Sequence, residues 1–394
     1  MQRPSSKPPA RGSMMTDPKA RAWLFQIVAI AAVATVGWYL FHNTQSNLAQ
    51  RGITSGFAFL NNSAGFGILQ SLIDYSESDT YARVFVVGLL NTLLVSVLGI
   101  VIATLIGFII GIARLSPNWL MSRLAALYIE IFRNIPPLLQ IFFWYFAVLR
   151  AMPPPRGSHA VGEAIFLNIR GLYLPAPGMA DGSLAFGIAL ALAIGGAVAL
   201  ARWARRRREA TGQRFPVLLG STALLVLLPA LASTVAGSPF TWDVPELSGF
   251  NFTGGWVVIP ELAAITLALS IYTAAFIAEI VRSGIQAVSH GQTEAARSLG
   301  LRPGHILRLV IIPQAMRVII PPLTSQYLNL VKNSSLAAAI GYPDLVSVFA
   351  GTVLNQTGQA IETIAITMSV YLAISLSISL LMNWYNKRIA LVER

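Results

Sequence analysis

VFVVGLLNTLLVSVLGIVIATLIGFIIGIA, residues 84–113, runs for thirty residues without a charge. The hydrocarbon core of a bilayer is crossed by about 20 apolar residues of α-helix, so this stretch reads as a membrane span. Seven further candidates lie at roughly 23–41, 124–149, 184–201, 216–236, 260–281, 320–342 and 361–384. The stretch at 184–201 is barely long enough, and the one at 320–342 is interrupted by polar residues. The first has too long an apolar core for a signal peptide and no small-residue cleavage site after it, so it reads as a retained anchor. The expected fold class is all-α: a polytopic α-helical membrane protein of about eight spans.

Composition agrees. The 394 residues are 55% hydrophobic and 11% charged, with a mean hydropathy of +0.64, whereas soluble domains carry about 25% charge. The net charge of +12 does not imply nucleic acid, because the basic residues fall in short segments between apolar runs, where topology places them. With no cysteine, disulfide, thiol and iron–sulfur chemistry are excluded. His42, His159, His290 and His305 are not at metal-ligand spacing, so no metal site is expected.

Lysine and arginine favour cytoplasmic loops. With both termini inside, the segments 1–22, 114–123, 202–214, 282–317 and 385–394 hold 21 of the 28 basic residues, against five in the outside segments. Arg133 and Lys332 fall within spans. Residues 1–22, rich in Pro, Ser and Arg, read as a disordered cytoplasmic tail. Residues 42–82, 150–183 and 237–259 read as polar outside loops, the last with Trp242 and Trp256 at the interface. Arg205 to Arg208 reads as a stop signal for its loop. In the second span, Gly107 and Gly111 have a spacing that allows close helix packing.

The segment Ser289-His-Gly-Gln-Thr-Glu-Ala-Ala-Arg-Ser-Leu-Gly300, continuing to Pro313, is built differently. Ser289 and Gln292 fit a capping box that starts a helix. Gly300 is placed to end it in a left-handed cap, and Pro303 can begin a second helix. The expected product is a short helix, a tight turn and another helix protruding from the membrane as a rigid lever.

Here the chain resembles a known family. Glu294-Ala295-Ala296, three residues, Gly300, nine residues and an aliphatic group ending in Pro313 match the signature loop of permease subunits of ABC importers, with Val310 and Ile312 in place of the usual Ile and Leu. The phrases Gly88-Leu-Leu-Asn-Thr-Leu93, Glu130-Ile-Phe-Arg133-Asn-Ile-Pro-Pro-Leu-Leu-Gln140, Ala278-Glu-Ile-Val-Arg-Ser-Gly284, Ser298-Leu-Gly-Leu-Arg-Pro-Gly304 and Lys332-Asn-Ser-Ser-Leu336 narrow the resemblance to polar-amino-acid importers. The enlarged layout is similar to the Q-type permease of broad-specificity L-amino-acid importers of Gram-negative bacteria. The resemblance implies a five-span core within 84–386, with 285–313 as the coupling loop that docks on a cytoplasmic ATPase. A first span and outside loop (23–83), an inserted loop and span pair (150–258) and a cytoplasmic end (387–394) complete the layout. It also implies a second permease subunit, a paralogue or a second copy of this chain, a periplasmic amino-acid-binding protein and a bacterial inner-membrane location in contact with lipid.

No G-x-x-x-x-G-K-[ST] phosphate loop occurs. ATP and Mg therefore belong to the partner ATPase, and no cofactor and no catalytic residue is expected in this chain. An amino acid crossing the bilayer needs polar partners near its middle, where charge is expensive and usually functional. Lys332, with Asn329, Asn333, Ser334 and Ser335, either meets the substrate carboxylate or snorkels or pairs with an acid to hold a gate. Thr92 and Gln140 are uncharged path candidates. Glu279 with Arg282, and Glu130 with Arg133, have ion-pair spacing and read as structural pairs or as substrate contacts. Pro136-Pro137 should bend the third span or end its hydrogen bonding. The alternative function is a secondary amino-acid transporter driven by an ion gradient, which would need its own mid-membrane coupling site. An intramembrane enzyme would need paired acids, a Ser/His pair or H-E-x-x-H, and none is present.

Overall fold

The computed structural model describes residues 18–50 and 56–389. Most of the tail reading (1–17) and the last residues of the cytoplasmic end (390–394) lie outside the described residues. The helices are α1 (Pro18–Gln50), α2 (Tyr81–Arg114), α3 (Trp119–Asn134), α4 (Pro137–Phe142), α5 (Ser183–Thr211), α6 (Val217–Ala236), α7 (Pro260–Gln286), α8 (His290–Ser298), α9 (Pro303–Ile306), α10 (Ile312–Asn333), α11 (Leu354–Thr357) and α12 (Ala360–Ile389). Seven helical stretches among the described residues are long and apolar enough to cross a membrane. The stretch read as the third span is not among them: it is in two pieces, α3 and the shorter apolar stretch Pro137–Leu149. The protein is a polytopic α-helical membrane protein.

In the third span the structure selects between the two alternatives of the sequence reading, and in two others the helix runs beyond the expected span. The third span is broken rather than bent: α3 stops at Asn134, Ile135 and Pro136 are extended, and α4 restarts with Pro137 at its first position. A residue before proline is pushed out of the helical region, and proline has no N–H to continue the ladder. The fourth is not short. α5 is 29 residues long and carries Arg205 to Arg208 within the helix, not in a loop, ending only at Gly212 in the left-handed conformation. Arginine is a good helix former, so charge ends the membrane-buried part of the helix but not the helix. The helix begun at Pro303, as expected, runs on into the stretch read as the seventh span: α9 passes through a π-turn (Leu307–Ile311) into α10, then a 3-10 turn (Ser334–Ile340).

α7 is the hub. It packs on α2, α3, α4 and α10, and α10 packs on α12. Of its apolar window 67% is buried, against 28% for α2. The α2–α7 seam is set by glycine. A Cβ on Gly107 would lie 2.6 Å from the Ile277 side chain, and one on Gly111 2.7 Å from the Ala278 carbonyl oxygen. The chain after the 3-10 turn folds back beside α2. Asn91 Nδ2 donates to the carbonyls of Gln70 (2.8 Å) and Pro343 (2.9 Å), Tyr342 donates to the Asn91 carbonyl (3.2 Å), and the Leu345 N–H donates to Thr92 Oγ1 (3.0 Å).

The loops read as polar and outside carry short strands: β1 (His159–Val161), β2 (Ile165–Asn168), β3 (Gly171–Leu174), β4 (Ala176–Met179), β5 (Phe240–Asp243), β6 (Glu246–Ser248), β7 (Asn251–Thr253) and β8 (Trp256–Val258). β1-β2-β3-β8 form an antiparallel sheet, with Phe166 opposite Tyr173 and Leu172 opposite Val258, while β4–β5 and β6–β7 are separate hairpin-like pairs. Tyr173 is buried between these strands and donates to Asn251 Oδ1 at 2.8 Å; burial raises its pKa. We call this the sheet end of the bundle, and the opposite one, bearing α8, the lever end.

Candidate functional site

Polar side chains of α7 and α10 line a groove down one side of the bundle. Its upper cavity, about 310 Å³, is lined by Tyr272, Thr273, Phe276, Gln326, Asn329, Lys332 and Asn333. Tyr272 is twelve residues below Pro260 in the 27-residue α7, so at ~1.5 Å per residue this level is about 18 Å from the helix start, near mid-membrane. Lys332 and Asn329 point into open space. Among the described residues no acid lies within ion-pair distance of Lys332. Of the acids that could have neutralised it, Glu279 is bound by Arg282, and Glu362 accepts the Gly56 N–H at 2.7 Å.

Below Phe276 the groove continues as a cavity of about 300 Å³ that shares Phe276 and Gln326 with the first and adds Arg133, Glu279, Ser283, Pro322 and Ser325. A third cavity, about 310 Å³, shares Arg133 and Glu279 and adds Arg114, Glu130 and Arg282. The three cavities follow one another toward the lever end, each sharing lining residues with the next. The Phe276 ring sits between the upper and lower parts, 5.0 Å from the Tyr272 ring and under the Arg133 guanidinium at 5.1 Å.

The sequence candidates separate accordingly. Lys332, Asn333 and Glu279 line the groove. Ser335 is half-buried and donates to the Lys332 carbonyl at 2.7 Å, and Ser334 is buried and donates to the Val331 carbonyl at 2.7 Å; both close the end of α10. Thr92 and Gln140 are buried away from the groove. Thr92 joins α2 to the returning chain, and Gln140 Nε2 donates to the Phe132 (3.1 Å) and Ile135 (3.0 Å) carbonyls freed by the break before Pro137. Glu279 and Arg282 do form a two-bond ion pair. Glu130 and Arg133 form none, against their i, i+3 spacing: the guanidinium is held over Phe276 instead. Sequence reasoning missed Tyr272, Phe276 and Gln326. Their signal is a line of polar and aromatic residues facing one another across two apolar helices, which needs the α7–α10 pairing to be seen.

At the lever end, α8 is a nine-residue helix after Ser289. The capping box is not made: Ser289 occupies the N-cap position, but its side chain bonds no helix N–H, and Gln292 Oε1 instead accepts from Gln314 Nε2 at 3.3 Å. That bond ties α8 to α10, so the same glutamine serves a tertiary contact. The C-terminal reading holds. Gly300 has φ +74°, its N–H donates to the Arg297 carbonyl (2.8 Å), and the Leu301 N–H donates to the Ala296 carbonyl (3.2 Å). These two bonds make a Schellman cap. Glu294 and Ala295 are exposed on α8, Ala296 is its one buried residue, and Pro313 lies in the first turn of α10.

Over residues 99–391 the chain matches the family described as "Binding-protein-dependent transport system inner membrane component". It is 65% identical to the "Putative amino-acid ABC transporter permease protein YhdX" of Escherichia coli, covering 98% of each chain. Identity is 56% to the "General L-amino acid transport system permease protein AapQ" of Rhizobium johnstonii, over 97% of this chain and 95% of that one. It is 43% to the "Glutamate/glutamine/aspartate/asparagine transport system permease protein BztB" of Rhodobacter capsulatus, over 99% of both.

Proposed function

We propose, from the premise that this chain belongs to the family of binding-protein-dependent transport system inner membrane components, that it lines the membrane path of an ATP-driven importer of amino acids. It is a transport subunit and not an enzyme; hydrolysis belongs to a separate ATPase chain. The observation that carries the substrate reading is the unpartnered Lys332 ammonium at mid-membrane, in a cavity of amides, hydroxyls and aromatic rings. A bare charge there is costly, and an amino-acid carboxylate would neutralise it. Asn329 and Asn333 supply hydrogen bonds beside it. The open side of the groove suits a second permease subunit, so that the path is closed between two chains.

In this reading the lever end is cytoplasmic, with both termini on that side, and α8 with its Glu294-Ala295-Ala296 and Gly300 turn is the element on which the ATPase docks. The sheet end then faces the periplasm, where a binding protein delivers the substrate. Of the 28 basic residues, 21 fall in the segments that this orientation makes cytoplasmic.

Uptake by the reconstituted complex tests the assignment. Lys332→Met should lower transport of every amino acid carried by more than about tenfold, the worth of one lost charge-assisted hydrogen bond, with membrane level unchanged. Lys332→Arg should keep part of the activity. Restoration of Lys332→Met by Glu279→Gln, Glu362→Gln or Glu130→Gln would mean that the lysine serves a protein ion pair instead. In the same sealed system, a cysteine at Ser248 should react with an impermeant thiol reagent from outside and one at Ser289 should not; the reverse pattern would overturn the orientation.

A further inference from the structure

Two charged groups in the lower groove have no partner where one is expected. Glu130 and Arg133 lie three residues apart on α3, a spacing at which opposite charges normally pair, yet among the described residues neither belongs to an ion pair. Glu279, the other acid in that cavity, is saturated by Arg282, which takes both of its oxygens. Arg114 is engaged with Ser122 Oγ at 2.9 Å. Among the described residues, the Glu130 carboxylate and the Arg133 guanidinium are left without a side-chain hydrogen bond at the cavity of about 310 Å³, whose lining also carries the charge of Arg114; Arg133 is stacked on Phe276.

A free α-amino acid is the complement of such a pair, with an ammonium and a carboxylate on the same carbon atom. Guanidinium meets a carboxylate through two parallel N–H donors, and Glu130 can accept from the ammonium. The cavity shares Arg133 and Glu279 with the one below Phe276, which in turn shares Phe276 and Gln326 with the Lys332 cavity. Releasing Arg133 from the ring to the substrate would free Phe276 to move, linking occupancy below to passage from above.

We propose that Glu130 and Arg133 form a second amino-acid station on the lever side of Phe276, binding the ammonium and carboxylate of the substrate after it leaves Lys332. This deepens the transport reading given above and rests on it.

The test is equilibrium binding of L-glutamine and L-glutamate to the purified nucleotide-free complex, followed by saturation-transfer NMR, which registers weak ligands. The Lys332→Met complex should still bind. Adding Arg133→Gln or Glu130→Gln to it should weaken that residual binding about tenfold, as expected for loss of one charged hydrogen bond. Arg133→Lys should retain part of it, which also reports that the fold survives. Glutamine with its α-carboxyl converted to an amide should not compete. Residual binding unchanged by both substitutions, or no residual binding in the Lys332→Met complex, overturns the station. Competition by inorganic phosphate as strong as by the amino acid also overturns it, leaving a plain anion site. If Lys332→Met alone does not reduce total binding, the mid-membrane reading fails while the Arg133 comparison still decides this one.

Discussion

α7 and α5 are similar in sequence terms and opposite in the fold. Both are apolar helices of 27 and 29 residues, both rich in alanine, and both long enough to cross a bilayer. α7 has 67% of its apolar window buried inside the protein, and α5 has 11%. Small residues do not separate them, since α5 contains Gly187, Gly195 and Gly196 as well. Polar residues do. α7 carries Thr266, Ser270, Thr273, Glu279 and Arg282 through its length, and neighbours reach its backbone: Tyr128 donates to the Ile271 carbonyl at 2.8 Å. Between Ser183 and Arg202, α5 has no polar side chain. Apolar length marks both helices as membrane-crossing candidates; in this pair, polar interruption goes with burial against protein. A polar group facing lipid is costly, so it is kept where a protein partner or a water-lined path receives it.

The sharpest way to break this contrast is at the α2–α7 seam. Gly107→Leu or Gly111→Leu would drive a side chain into Ile277 or into the Ala278–Val281 backbone turn. Overpacking a well-fitted core costs about 1–3 kcal/mol, and here the obstacle is largely backbone and β-branched side chain. We expect loss of folded protein from the membrane and a lower thermal midpoint in detergent. A matched Gly195→Leu on α5, where a Cβ meets nothing within 4 Å, should leave both unchanged. Equal damage at the two sites would mean that α5 packs as tightly as α7.

A second, smaller effect tests the lever end. Gly300→Val places a β-branched residue at φ +74°, a conformation costing L-residues roughly 1–2 kcal/mol and more when branched at Cβ. α8 is small and peripheral, so the protein should insert at its usual level while ATP-driven transport falls strongly. Normal transport by Gly300→Val would remove the mechanical role from this turn.

Spans, lever and cap were legible because each rests on a local rule: apolar length, a left-handed glycine, a proline at a helix start. What was not legible depends on tertiary choice. Gln292 could have completed a capping box and instead binds Gln314. Glu130 could have paired with Arg133, but the guanidinium found the Phe276 ring. Thr92 and Gln140 are polar residues in apolar helices, which fits a transport path equally well as an internal bolt, and only the positions of Leu345 and of the Phe132 and Ile135 carbonyls decide between the two. The strands of the sheet end were hidden because segments of three or four residues leave no alternation to read.

The least expected damage comes from removing the α5–α6 hairpin altogether. The two helices pack on each other, with Trp203 edge-on to Phe215 at 5.5 Å, and no other element packs extensively on either. Their roots are already joined: β4 pairs with β5, Met179 lies opposite Phe240, and Gly182 meets the Gly237 carbonyl so closely that a Cβ would not fit. Excising Ser183–Ala236 and linking Gly182 to Gly237 through a two-residue turn would therefore close an existing antiparallel pair without stretching the chain. The deletion removes an even number of crossings, so every downstream helix keeps its direction, and the basic residues near α8 and at the C-terminal end of α12 still hold that direction. We expect the shortened chain to insert, to keep its thermal midpoint and to support uptake at close to the parental rate in the reconstituted complex. Loss of uptake with the fold intact would show that the hairpin acts through another subunit or through lipid. Loss of the fold itself would show that its apolar face is a packing surface after all, and the contrast with α7 would be one of degree.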